Sequence, residues 1–161
     1  MLLGKAKIIE YVNQGLLEDF EMSCLGGAGY DLRLGKIYDL RSDSILGVSK
    51  RQMPEVQEVL GSKYSLKQGE YVLVETVERV NMPPNLAARV LNRSTVFRCG
   101  ATLVNALVDP GYCGTLTFGL KNLSDRNFTV EKGARIAQIV FEEVSGETTG
   151  YNGRYQGGKV V

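Results

Sequence analysis

Between Lys5 and Leu17 the apolar residues Ile8, Ile9, Tyr11, Val12, Leu16 and Leu17 recur at a mostly helical spacing, and Gly15 stands where such a helix would stop. The pattern predicts one amphipathic helix at the start of the chain. From Tyr30 onward it changes to short alternating or apolar runs, as in Tyr71–Val77, Ala87–Leu91, Thr115–Leu120 and Gly133–Phe141, which read as strands. Turn residues punctuate them at Lys67-Gln-Gly, Met82-Pro-Pro-Asn, Asp109-Pro-Gly, Asn122-Leu-Ser-Asp and Glu131-Lys-Gly. That cadence belongs to a mainly β fold of the sandwich, jelly-roll or barrel kind. Arg41 to Gly61 is polar and weakly periodic and reads as a long loop or excursion. Gly146 to Val161 is rich in Gly and Tyr, with little to bury, and is expected to be flexible unless a ligand or neighbouring subunit orders it.

A chain of 161 residues is long enough for one domain with its own core and too short for a second catalytic module. Lys plus Arg number 19 against 18 for Asp plus Glu, so no broad basic field points to nucleic acid or an anionic membrane, and a polyanionic ligand would need a local cluster. Charges break every long apolar stretch, and the first ten residues lack a signal peptide's apolar run, so a soluble, cytoplasmic protein is expected. Cys24, Cys99 and Cys113 are odd in number and form no CxxC pair; they read as reduced, buried, small apolar residues. The absence of histidine removes Ser-His-Asp triads, Cys-His pairs and the histidine-containing zinc sites of proteases and deaminases. Neither a GxxxxGK[ST] loop nor a GxGxxG fingerprint is present.

Five segments could carry chemistry. Arg93, Ser94, Thr95 and Arg98 place two guanidiniums and two hydroxyls on a possible short helix after a strand, a natural phosphate site and equally an N-cap serine with two solvated arginines. Asn105 to Tyr112 runs from an apolar strand into an Asp-Pro-Gly turn. Asp109 there is a general base beside the flat face of Tyr112, or plain turn chemistry. Gln138 is the one polar residue of its strand that asks for a partner, a phosphate oxygen or the backbone. Asp31 and Arg33 share a strand face and are expected to pair with each other. The tail offers Tyr151, Arg154, Tyr155 and Gln156, as plain disorder or as a lid closing on phosphates.

In this order the four segments and the tail resemble the five motifs of the dUTPase superfamily, and more closely its dCTP-deaminase-like branch. Arg93-Ser94-Thr95, Val108 to Tyr112 and Arg135 to Gln138 are the most specific parts, and the resemblance spans Ala28 to Gln156. It implies one dUTPase-like domain over residues 1–161, a distorted jelly-roll β-barrel with an N-terminal helix, assembled as a homotrimer with active sites between subunits. Residues 146–161 would be the flexible lid. Asp109 matches the water-activating residue, and Arg93, Ser94, Thr95 and Arg98 match the phosphate motif, reaching a site shared with a neighbouring subunit. Gln138 matches a further phosphate contact, Tyr112 the aromatic residue under deoxyribose, and Asn105 lies in the segment whose backbone reads the pyrimidine. Tyr151, Tyr155 and Gln156 belong to the closing tail. The resemblance also implies Mg²⁺ held mainly by the triphosphate, with no direct protein ligand and Asp31 at most in its outer shell.

Deaminases of this branch carry a glutamate on the strand after the Asp-Pro-Gly turn, where Gly119 stands here, and no carboxylate occurs between Asp109 and Asp125. Hydrolysis of dUTP to dUMP and pyrophosphate is the expected reaction, because the water-activating and phosphate groups remain while the deaminase proton carrier does not. Two alternatives stay open: deamination of dCTP through another carboxylate, and a non-catalytic trimer that binds deoxynucleotides. The segment from Arg98 to Asp109 is deaminase-like in length, and the tail has Tyr155-Gln-Gly-Gly in place of GxGGFG.

Overall fold

The computed structural model describes residues Met1–Val161. After helix α1 (Lys5–Val12) come strands β1 (Leu17–Glu18), β2 (Tyr30–Leu40), β3 (Ile45–Leu46), β4 (Arg51–Gln52), β5 (Val56–Glu58), β6 (Lys63–Leu66), β7 (Tyr71–Asn81) and β8 (Leu86–Asn92). Helix α2 (Ser94–Arg98) then leads to β9 (Ala101–Val104), β10 (Cys113–Asn122), β11 (Phe128–Glu131) and β12 (Arg135–Glu143). The strands bear out the alternating runs. The protein is mainly β, with a nearly closed, barrel-like sheet.

One eight-stranded sheet runs β8-β12-β2-β7-β10-β9, with β1 added to β7 and β5 to β2; β3–β4 and β6–β11 form two further ribbons. Along β7, Val72, Val74, Thr76, Glu78 and Val80 turn inward while their neighbours are less buried, the two-residue period a half-buried strand requires. Tyr30, Leu32 and Leu34 of β2 and Ile136, Ile139 and Phe141 of β12 meet them in a single core. The seam between the outer strands β8 and β9 is closed by side chain and backbone together. Asn92 Oδ1 accepts the Leu103 N–H at 2.7 Å. Beyond β9, Ala88 and Val108 exchange two backbone hydrogen bonds of 2.9 Å. Val108 immediately precedes Asp109, so barrel closure holds the Asp-Pro-Gly turn.

Three expectations need correction here. The first helix ends at Val12, well before Leu17. Gly15 adopts φ 94°, the Leu16 N–H returns to the Tyr11 carbonyl, and Leu17 pairs with Val80 as a strand. Leu16 and Leu17 are buried, but β pairing buries them and not the helix face. The excursion from Arg41 to Gly61 contains a small ribbon and a strand, β5, bonded to the end of β2. The three thiols are all free, yet only Cys24 is buried; Cys99 is exposed at the end of α2, because a five-residue surface helix leaves its C-terminus in solvent.

Candidate active site

A cavity of about 430 Å³ opens beside the Asp109 turn, walled by β7, β10, the loop Asn105–Val108 and the C-terminal tail. Asp109, Asn105, Tyr112, Tyr151 and Tyr155 all line it, as do Tyr71, Thr117, Gly119 and Lys159. Asp109 is its only acidic side chain. The turn works because Pro110 fixes one dihedral and Gly111 takes φ 79°, and a Cβ at Gly111 would lie only 2.9 Å from the Gly150 Cα of the tail. Turn and tail thus pack backbone to backbone.

Tyr112 is buried. Its hydroxyl donates to the Thr115 carbonyl at 2.5 Å, and its ring meets that of Tyr151 edge-on, with centroids 5.5 Å apart. Burial, with a smaller contribution from Tyr151, pushes the Tyr112 hydroxyl up to about 12. Gln156 anchors the tail. Its Oε1 accepts the Cys113 N–H at 2.9 Å, and its Nε2 donates to the carbonyls of Gly111 at 3.0 Å and Tyr151 at 3.2 Å. Backbone bonds from Tyr151 to Pro110 and from Gly157 to Cys113, both 2.8 Å, complete the docking on the same chain.

The other predicted residues lie elsewhere. Ser94, Thr95 and Arg98 are exposed on α2 and do not line the cavity, nor do Arg93 and Gln138. The N-cap of α2 is Arg93, with no side-chain cap, and Ser94 is the first helical residue, which corrects the reading of Ser94 as the cap. Arg93 Nε meets Asp31 Oδ2 at 3.0 Å, and Arg135 approaches the same oxygen at 3.5 Å. Gln138 sits over Gly29, whose added Cβ would be 3.1 Å from its Cγ.

The expected Asp31–Arg33 pair is absent. Arg33 Nε binds Glu78 Oε1 at 2.7 Å and its guanidinium also meets Glu21, while the Arg33 N–H donates to Glu78 Oε2 at 2.9 Å. The Tyr30 hydroxyl adds a third bond to Glu78 at 3.1 Å. A fully buried carboxylate on β7 is a stronger claim on Arg33 than a partly solvated one on its own strand, which leaves Asp31 to Arg93 and Arg135. No group of three or more Cys, Asp or Glu side chains converges to hold a metal.

Three cavity residues escaped sequence reasoning. Tyr71 is the most consequential, because a Cβ on Gly119 would lie 2.5 Å from both Cε2 and Cζ of its ring, with the hydroxyl closer still. The Tyr71 ring therefore covers the ground a side chain at 119 would need. Thr117 follows a bulge in β10 and its hydroxyl is buried without a hydrogen-bond partner. Lys159 comes from the tail's end. Only a strand register, β10 against β7 with Gly119 opposite Leu73, brings Tyr71 to this place.

The sequence from residue 2 to 144 matches the family model described as dCTP deaminase-like. The chain belongs to that family. A deoxyuridine 5′-triphosphate nucleotidohydrolase of Methanocaldococcus jannaschii is 32% identical over 151 residues, covering 90% of this chain and 95% of that protein. A dCTP deaminase of Pyrococcus horikoshii is 34% identical over 158 residues, covering 98% and 92%. Family membership thus spans both enzymes. Among solved structures, the dCTP deaminase of Agrobacterium tumefaciens superimposes with TM-score 0.71 at 22% identity over 87% of this chain, which spans about half, 47%, of that longer chain. A staphylococcal phage 80alpha dUTPase mutant with dUpNHpp superimposes with TM-score 0.53 at 17% identity, covering 85% and 87%. These likenesses show the fold. No helix is long and apolar enough to cross a membrane.

Proposed function

We propose that this family member hydrolyses dUTP to dUMP and pyrophosphate and does not deaminate dCTP. The observation that carries this reading is that Asp109 is the sole acidic side chain of the cavity, while Gly119, where deaminases of this branch carry a glutamate, is roofed by Tyr71. Deamination needs a group to shuttle protons to the ring nitrogen and the leaving ammonia, and a single carboxylate occupied with activating water leaves none. Hydrolysis needs one base. Asp109 takes a proton from water, the water oxygen bonds to the α-phosphorus, the bond from that phosphorus to the bridging oxygen breaks, and pyrophosphate leaves. Tyr112, its ring fixed by Thr115 and Tyr151, offers the flat apolar face under deoxyribose.

The phosphate groups of this reading are Arg93, Ser94, Thr95, Arg98 and Gln138. They lie outside the cavity of their own chain, which supports a homotrimer in which the neighbouring subunit brings them to the nucleotide. Leu91, Phe97, Val104 and Leu107, all exposed on β8, α2, β9 and the following loop, are the apolar surface such assembly would cover. Mg²⁺ would be held by the triphosphate oxygens, with Asp31, which Arg93 and Arg135 engage, at most in its outer shell; when bound it offsets phosphate charge. The tail, with Tyr151, Tyr155 and Gln156, serves as the lid.

Incubation of the protein with Mg²⁺ and either dUTP or dCTP, with pyrophosphate and ammonia followed separately, tests the reading. Pyrophosphate from dUTP without ammonia from dCTP is expected. Ammonia from dCTP would overturn it in favour of deamination, and neither product would favour a non-catalytic nucleotide-binding protein.

A further inference from the structure

Of the hydroxyls on cavity-lining residues, those of Thr117, Tyr71 and Tyr155 have no partner within the protein, and the first two stand on the paired strands β10 and β7 beside Gly119. The Thr117 hydroxyl is buried and makes no hydrogen bond. Buried polar atoms are satisfied in the great majority of folded proteins, so an orphan on a cavity wall points to a ligand atom. The Tyr71 hydroxyl lines the same cavity, against Gly119. Burial alone raises its pKa, with no charged neighbour contributing, so at neutral pH it is a protonated hydroxyl able both to donate and to accept. Thr117 and Gly119 are two residues apart on β10, and two residues along a strand return to the same face. The remaining wall is largely apolar, with Leu73, Val104, Leu116 and Phe118 among its residues. A flat heterocycle with a polar edge suits such a pocket: its faces meet apolar side chains and its edge meets the two hydroxyls.

We propose that Tyr71 and Thr117 are base-recognition residues whose hydroxyls hydrogen-bond the polar edge of the bound pyrimidine, and that Gly119 is required because it leaves room for the Tyr71 ring. The proposal deepens the dUTP reading of the same site and rests on it for the identity of the base. Position 119 has a positive role here: a side chain there would drive Tyr71 off the cavity wall. Asp109 performs chemistry at the phosphate, and Tyr71 and Thr117 hold the base, so binding of base and turnover are separable by substitution.

The test uses calorimetric binding of dUpNHpp and of 2-deoxyribose 5-triphosphate, which lacks the base, to the full chain and to Y71F, T117V, G119A and the double variant Y71F/G119A, each first checked for cooperative thermal unfolding. Y71F and T117V should each weaken dUpNHpp about 3- to 10-fold, the range for losing one net hydrogen bond, and leave the base-free ligand unchanged. G119A should reproduce the Y71F loss, and the double variant should be no weaker than G119A, because displacing the ring has already removed the hydroxyl. Unchanged dUpNHpp affinity in Y71F and T117V, or equal losses for both ligands, would overturn the proposal. Pyrophosphate release from dUTP by the unaltered chain is measured alongside. A chain that releases none while Y71F and T117V still lose dUpNHpp selectively would sink the hydrolase reading and retain base recognition.

Discussion

Gln156 binds the Cys113 backbone through one end of its amide and the Gly111 and Tyr151 carbonyls through the other, so a single side chain ties the C-terminal tail to both sides of Tyr112. These bonds lie on the turn that carries Asp109. If the tail is a lid, its closed position is defined by Gln156, and Gln156→Ala should loosen it. Each neutral hydrogen bond contributes about 0.5–1.5 kcal/mol, enough in combination to shift the docked population several-fold. The expected outcome is faster proteolytic cleavage within residues 146–161 and a lower turnover of dUTP, with the thermal unfolding midpoint nearly unchanged because the core is untouched. Tail cleavage at the unaltered rate would deny Gln156 this role.

Asp109 lies outside every ion pair in the protein, so its carboxylate is free to hold a water. Asp109→Asn keeps the shape and removes the base. Turnover of dUTP should fall at least ~10²-fold while dUpNHpp affinity stays within a few-fold. Near-normal turnover would assign the proton transfer to another group.

Glu78 makes a stability prediction independent of function. It is fully buried and receives Arg33 Nε, the Arg33 N–H and the Tyr30 hydroxyl. Glu78→Ala strands a half-buried guanidinium and a buried hydroxyl, and should cost about 3–5 kcal/mol, the range for breaking a buried pair from one side. Urea unfolding should show a lower midpoint with an unchanged slope. A loss under ~1 kcal/mol would mean that Glu21 alone satisfies Arg33.

Glu78 also shows where reading the sequence stops. The alternation Val72, Val74, Thr76 along β7 is local and legible, and so are the turns at Asp109-Pro-Gly and Glu131-Lys-Gly, whose residue types set the backbone directly. The burial of Glu78 at the next inward position depends on Arg33 and Tyr30, 45 and 48 residues away, and no local pattern encodes that meeting. The same distinction divides the candidate site. Asp109 and Tyr112 are legible as candidates because they belong to one compact turn. Tyr71 reads as an ordinary strand residue, and Gly119 is notable only for a missing carboxylate; the register of β7 against β10 makes them one feature. At Leu16 and Leu17 helical spacing was real but irrelevant, since Gly15 had already turned the chain toward β7.

Tyr112 links the site to pH. Burial pushes its hydroxyl up to about 12, above the ordinary tyrosine value of about 10 expected in the unfolded chain. The folded protein therefore holds this proton more tightly than the unfolded chain. The stabilisation is fully present below pH ~10 and is lost as pH rises through about 12, because the unfolded chain ionises first and the folded one must then give up a buried proton. Tyr112→Phe removes this term together with the hydrogen bond to Thr115. At neutral pH the variant should be less stable by about 0.5–1.5 kcal/mol, as for one lost hydrogen bond. Between pH ~10 and about 12 the gap should shrink, since the unaltered protein alone loses the contribution of this proton. Other tyrosines raised by partial burial, including the half-buried Tyr38, also pushed up to about 12, weaken both proteins alike and cancel in the difference. Denaturant titrations of the pair across this range provide the check, and a gap that stays constant would mean that the Tyr112 proton is held no more tightly in the folded protein than in the unfolded one.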